Sequence, residues 1–552
     1  MNIPPLSNAT LFILLMEAMF LLLDGLLFDN FRAPLYAAAA SSVGVYLYAS
    51  SLRNSLRTEL LVTGSFIAVA MPILAWSTPN VWLLYLLMCI WVPLVAGRFE
   101  RLVPIYLFSL LLLPSLDMTM AVGGLKLFEF GVLDALAVGT AVAVALSPKK
   151  SSAMPRSDAW VCATLLMLGA ALSRDTSFSN FLRTFLNVAL DLGLPYYLVS
   201  RGIRNLEDLR IAVRWFAGAG MALAPLLMLE AWKAWPIYNE LYAELGVPLV
   251  LMVKARGGML RAGGPLVEPT SIALVMALCL VALYLLREDF RSRLHHGLLL
   301  VAVFIGLSIP QSRGAWIGLF VALVTADLFR RRYALLFRKG VLVTTLAGTV
   351  FMLAQLSPSL SETVGLSGGS SETSEYRRRL LTRGMEEFWQ SPLIGFSLPQ
   401  LNVRLADLVQ GEGIIDFVNT YIWIALISGT VGLVAFIGTF LHFLSGVWRF
   451  ARHSGDPAAV ELAAFPFACS VMLLEMFFFT SFGNRPAFLT FALFGLSAAL
   501  VAKRADGEGE SRAGALSPPG TGLPRPPSDE QWGERQVRAE ATSEAQRARS
   551  HK

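Results

Sequence analysis

The residues with the most chemical potential in this chain are arginines. Ser308-Ile309-Pro310-Gln311-Ser312-Arg313-Gly314-Ala315-Trp316 joins two apolar runs, residues 297–309 and 315–328, and carries one guanidinium into the turn between them. An arginine at membrane depth is costly and usually serves a function. Arg256 and Arg261, set among Gly257, Gly258, Gly263 and Gly264, precede a further apolar run that opens with Glu268-Pro269. Arg377, Arg378, Arg379, Arg383 and Arg404 lie in the long non-apolar stretch 357–417, and Arg485 follows Asn484 in the short turn 481–486. Guanidinium groups present fork-shaped donors that suit phosphate oxygens and stay protonated when partly desolvated. The set therefore asks for an anionic ligand, and a diphosphate carried by a membrane lipid would meet such groups at this depth.

Placing these residues on one face requires the elements around them. The chain has 552 residues, 55% of them hydrophobic and 15% charged, with mean hydropathy +0.60. A soluble globule needs more charged surface, so this composition predicts an all-α polytopic integral membrane protein. About 20 apolar residues cross the hydrocarbon, and runs of that kind recur from Leu11 almost to Ala502, about sixteen by this criterion. The first, residues 11–28, has no basic flank and no small-residue cleavage site, and is expected to be a retained span.

Basic clusters at Arg53/Arg57, Arg98/Arg101, Lys149/Lys150, Arg201/Arg204/Arg210, Arg287/Arg291/Arg293, Arg330–Arg332, Arg449/Arg452 and Lys503/Arg504 fall two spans apart. All are expected on the cytoplasmic side, with both termini, and the arginines of the opening paragraph on the opposite face. That face should be poor in arginine, which strengthens the case for an anion there. The formal charge of +6 is then a topology signal and not a nucleic-acid signal.

Other chemistry finds little support. Cys89, Cys162, Cys279 and Cys469 sit in apolar runs without paired or ligand-like spacing, and His295, His296, His442, His453 and His551 fall in cytoplasmic clusters or the tail. No metal site or cofactor is expected. Asp24, Asp191, Glu230 and Glu475 are scattered intramembrane acids, read as structural pairing partners. From residue 504 the chain turns to Gly, Pro, Ser, Glu and Arg, which predicts a disordered tail over 504–552. Residues 1–260 then form N-terminal membrane helices, and 261–503 a membrane core with the large loop 357–417. The arginines also have plainer readings: a solvated helix face for Arg377–Arg379, a snorkelling or capping role for Arg313, and a helix-dipole charge for Glu268.

The order of motifs in the second half carries a resemblance. Ser312-Arg313-Gly314-Ala315-Trp316 is followed by Tyr376-Arg377, Pro392-Leu393-Ile394-Gly395, Asp416-Phe417-Val418-Asn419-Thr420-Tyr421 and Ser428-Gly429-Thr430-Val431-Gly432-Leu433. Together, over roughly residues 261–433, they resemble the O-antigen ligase and polymerase superfamily. The resemblance implies a GT-C-like membrane glycosyltransferase in a bacterial inner membrane. It would work at the periplasmic face without metal or nucleotide sugar, on an undecaprenyl-diphosphate-linked oligosaccharide. Arg313 and Arg377 would hold the diphosphate and stabilise the leaving group. Arg261 would be a second phosphate or glycan contact, with Arg256, Arg378, Asn419, Tyr421 and Arg485 as further substrate-binding candidates. Membrane lipid and other polysaccharide assembly and export proteins are the expected partners.

Two departures matter. Ligases carry a histidine in the outer loop that is proposed to activate the acceptor hydroxyl, and residues 357–417 hold none. A base, if needed, is expected to be Asp416 first and Glu268 second. Gly395-Phe396-Ser397 also stands where relatives often have Gly-x-Gly. The missing histidine favours a polymerase over a ligase. A transporter would instead need charges at the midplane and inverted repeats, neither of which the sequence shows. A scaffold would be indifferent to changes at the outer arginines.

Overall fold

The computed structural model describes residues 32–516 apart from 123–124, 148–156, 248–254, 257, 357–360, 362–369 and 410–414. The expected first span at 11–28 and most of the expected tail lie outside the described residues. The fold is that of an all-α polytopic membrane protein. Among the described residues, five helices are long and apolar enough to cross a membrane: Asn54–Ser77, Leu206–Lys233, Thr420–His453, Pro457–Met476 and Arg485–Ala502. Five more, Val81–Ala96, Val132–Ala145, Ser157–Leu172, Pro269–Leu285 and Arg293–Ser308, are apolar but shorter.

The roughly sixteen runs expected from length are thus represented, among the described residues, by these five long and five shorter apolar helices. Two segments wind as π-helix, Leu60–Gly64 inside the helix Asn54–Ser77 and Ala189–Gly193 between Phe178–Val188 and Leu194–Gly202. Close packing relies on small residues: a side chain at Gly44 would run into the Met221 carbonyl, and one at Gly139 into that of Cys89. Such approaches are how helices associate where lipid is as apolar as the side chains.

The helical bundle carries one feature the composition hid. Asp117–Val122 pairs antiparallel with Leu125–Gly131, shifting register between Met120 and Ala121. Alternating residues around Gly123-Gly124 are a hairpin pattern, and apolar content alone does not register it.

Several of the basic clusters are linked to one another in the bundle. Arg210 and Arg214 both pair with Asp289, at 2.6 and 2.8 Å, and Arg53 donates its backbone N–H to the Asp289 carbonyl at 3.0 Å. Arg291 bonds the Leu52 carbonyl, and Glu207, Arg210, Glu288, Asp456 and Glu461 line one cleft. Arg330 in turn pairs with Glu461. Arg313 and Phe329 are the two ends of one 17-residue helix, about 25 Å long, so the Arg313 turn lies at the far end from these clusters.

Candidate active site

The turn that carries Arg313 is built by proline and a left-handed residue. Pro310 closes the helix Arg293–Ser308, and Gln311 has φ 52°, from which the helix Arg313–Phe329 restarts. A two-residue ribbon, Ala255–Arg256 against Met259–Leu260, docks on this turn. The Arg256 Nη1 donates to the Gln311 carbonyl at 3.0 Å, and the Arg261 Nε donates to the Pro310 carbonyl at 2.8 Å. The ribbon is held from behind by buried Glu230, which accepts the backbone N–H groups of Ile237 at 3.1 Å and Gly264 at 2.9 Å.

The loop helix Ser370–Phe388 brings in the fourth guanidinium. It packs on the helix Thr420–His453 where Gly384 leaves room for Ile422. The Tyr376 hydroxyl donates to the Asp416 carbonyl at 3.0 Å, Arg377 lies over the Phe479 ring with 5.8 Å to its centroid, and Phe479 packs against Gly314. Ser481 donates to Asp416 Oδ1 at 3.1 Å, and Thr420 to the Thr480 carbonyl at 2.7 Å.

The outcome is one electrostatic cluster. The charges of Arg256, Glu268, Arg313 and Arg377 all act on Arg261, those of Arg256 and Arg377 on Arg313, and those of Asp416 and Arg256 on Arg377. Burial and the three like charges push the Arg261 guanidinium down to about 10, against the opposing pull of Glu268. It remains cationic at neutral pH. Four guanidinium groups thus face two carboxylates, and both are engaged: Asp416 accepts from Ser481, and Glu268 caps the helix Pro269–Leu285, accepting the N–H groups of Thr270 at 2.9 Å and Ser271. The helix-capping reading of Glu268 therefore holds within the cluster.

Several expected residues are engaged in structural contacts. Arg485 is 1% exposed and donates to the Leu110 and Leu113 carbonyls and to Ser115 Oγ. It closes the C-terminal end of the helix Leu102–Leu112, where a cation satisfies orphan carbonyls, and so cannot reach a ligand from this position. Arg485→Met should lower stability by about 2–4 kcal/mol by orphaning two buried carbonyls, while activity per folded molecule is kept. Thermal melts beside transfer assays check this; a raised KM with an unchanged melt would instead restore a substrate contact.

Asn419 caps the helix Thr420–His453 by accepting from Ile422 N at 3.1 Å. The Tyr421 hydroxyl donates to the Leu474 carbonyl at 2.5 Å. Arg378 is exposed at the next helical position, about 100° round from Arg377. Arg383 pairs with Glu386 at 2.7 Å and Asp407 at 3.2 Å, and Arg404 with the buried Glu387 at 2.9 Å.

The O-antigen ligase family model matches residues 297–437. Over those residues the chain is similar to the O-antigen ligase family, which supports the resemblance to the O-antigen ligase/polymerase superfamily. Activity in this superfamily is of glycosyltransferase type, on a lipid-linked glycan in a membrane. No curated protein matches the chain. The O-antigen ligase domain includes Arg313, Arg377, Asp416, Asn419 and Tyr421, and leaves out Arg256, Arg261, Glu268 and Arg485.

Within the O-antigen ligase domain, two motifs that are far apart in sequence form one unit. The helix Thr420–His453 breaks at Gly429, with φ 63° and ψ −160°, and the segment Pro392-Leu393-Ile394-Gly395 fills the gap. Thr430 N donates to the Pro392 carbonyl at 2.8 Å, Val431 N to that of Leu393 at 3.3 Å, and Phe396 N to that of Leu426 at 2.7 Å. From outside the matched stretch, Arg174 donates to the carbonyls of Gly395 at 3.2 Å, Phe396 at 2.6 Å and Ile427. Its neighbour Asp175 accepts from Ser397 Oγ at 2.6 Å and Gln400 Nε2 at 2.9 Å.

Sequence reasoning missed Arg174, Asp175 and Phe479. The first two had a signal, a charged pair at the break between the apolar runs ending at Leu172 and beginning at Phe178. Phe479, within a run of three phenylalanines, had none.

Proposed function

We propose that this protein is a polysaccharide polymerase joining undecaprenyl-diphosphate-linked repeat units at the periplasmic face of a bacterial inner membrane. The observation that carries the reading is the charge balance of the cluster. Four guanidinium groups against two carboxylates leave two positive charges, and a diphosphate esterified at both ends carries two negative ones. The groups are contributed by the ribbon 255–261, the Arg313 turn and the loop helix, so an anion among them would be gripped from three sides.

In the proposed reaction the hydroxyl oxygen of the acceptor glycan bonds to the anomeric carbon of the donor. The bond from that carbon to the diphosphate oxygen breaks, and its electron pair leaves with undecaprenyl diphosphate. Arg313 and Arg377 stabilise the charge that develops on the departing oxygen. Asp416, within reach of Arg377's field and held by Ser481 and Tyr376, takes the hydroxyl proton. Glu268, with both oxygens engaged by amides, is the poorer base. No step requires a metal or nucleotide sugar.

The absence of a histidine in residues 357–417 supports transfer between lipid-linked units over transfer to a lipid or protein acceptor. A deletion strain of the producing organism decides between them. Single repeat units accumulating on the polyprenyl carrier are expected. Long lipid-linked chains lacking a final acceptor would make the protein a ligase instead.

A further inference from the structure

The other end of the bundle holds a second arginine-lined cavity with no part in the proposed transfer. It encloses about 270 Å³ between the ends of the helices Arg313–Phe329 and Thr420–His453 and the start of Pro457–Met476, lined by Phe329, Arg330, Arg331, Trp448, Arg452 and Ser454 among others. The carboxylates nearby are already shared. Asp327 pairs with Arg330 and Lys339, both at 2.6 Å, and Glu461 with Arg330 and with Arg332 at 2.7 Å.

Arg331 and Arg452 are exposed and join no ion pair among the described residues. Arg331 has a left-handed backbone, φ 57°, as the chain turns out of its helix, with Arg331 N bonded to the Leu328 carbonyl at 3.0 Å and Arg332 N to that of Asp327 at 2.8 Å. Arg452 lies over the Trp448 ring, 4.8 Å from its centroid. Trp448 in turn packs on Phe329 and Phe467, at 5.6 and 5.8 Å between centroids.

The geometry points to a binding site for the phosphate of an anionic membrane lipid at this cavity, with Arg331 and Arg452 as its donors. The apolar surroundings favour a lipid over a soluble phosphate. Leu328 and Tyr333, within two residues of its lining in sequence, are exposed, so acyl chains would have an apolar surface to follow. Tryptophan beside arginine at a helix end is the pattern of a membrane–water boundary, and basic pockets between helices there take anionic headgroups.

The test is native mass spectrometry of the full chain in detergent with equal amounts of dioleoylphosphatidylglycerol and dioleoylphosphatidylcholine, then with inorganic phosphate added. Retention of the glycerol lipid over the choline lipid is expected. It should fall on the order of thirtyfold in R331Q/R452Q, at about one kcal/mol per arginine near an anionic surface. R287Q/R293Q, which removes two exposed charges from the same end, should retain the lipid as the wild type does. Equal retention of the two lipids would overturn the proposal. So would loss in R287Q/R293Q to the same extent, which would make the binding diffuse. Full displacement by inorganic phosphate without lipid preference would assign the cavity to free phosphate and overturn the lipid assignment.

Discussion

Arg313→Ala is expected to reduce long-chain glycan by about 10²–10³-fold, the usual cost of removing one preorganised donor to a developing oxyanion, while the protein still inserts and folds. The argument is positional. Arg313 begins its helix at the turn where Arg256 and Arg261 are tied to the Gln311 and Pro310 carbonyls, so groups other than the Arg313 side chain hold that frame, and its loss takes a charge from the cluster. Arg377→Ala should behave similarly, with a smaller structural cost because Arg377 is exposed. Arg378→Ala supplies the comparison: one position away and outside the cluster, it should leave chain growth near normal. Size-resolved gels of lipid-linked glycan, read against membrane protein levels, check all three. Normal polymer in both R313A and R377A would remove the diphosphate reading.

Much of this site was legible because charge is rare in such a chain. Arg256, Arg261, Arg313 and Arg377 stand out against apolar surroundings, and the basic clusters fixed which end they share. What spacing could not convey was depth. Arg485 looked equivalent to Arg313 in sequence, since each opens a helix after a short turn, yet one lies at the cluster and the other is spent on carbonyls of the helix Leu102–Leu112. Glu268 and Asn419 illustrate a related limit: a polar residue before an apolar run is equally suited to capping and to chemistry, and in both the cap is made. The strands Asp117–Val122 and Leu125–Gly131 are hidden for a different reason, because apolar content does not distinguish a period of two from a helical run. The Arg174 clamp depends on contacts across more than two hundred residues, which local spacing does not encode.

Gly429→Ala is the second large effect expected, and it acts on architecture. At φ 63° and ψ −160° Gly429 occupies backbone space reserved essentially for glycine, and a Cβ there would run into the Leu393 carbonyl and Ile394 N. Strain and overlap together should cost about 2–6 kcal/mol. The segment 392–396 cannot retreat to relieve this, because Arg174 holds the Gly395 and Phe396 carbonyls, and Gly395 is itself left-handed at φ 65° against the Leu426 carbonyl. The break in the helix is therefore coupled to the loop that carries Arg377, through the helix Ser370–Phe388 leading into 392–396. G429A should lower the melting temperature in detergent and also reduce polymer per folded molecule, a pairing that simple destabilisation at a remote site would not give. Gly297→Ala is the contrast, since a Cβ there meets nothing within 4 Å and alanine is the better helix former by up to about 1 kcal/mol; its melt should be unchanged or raised. A G429A protein with the melt and polymer yield of the wild type would show that the two motifs meet without depending on each other.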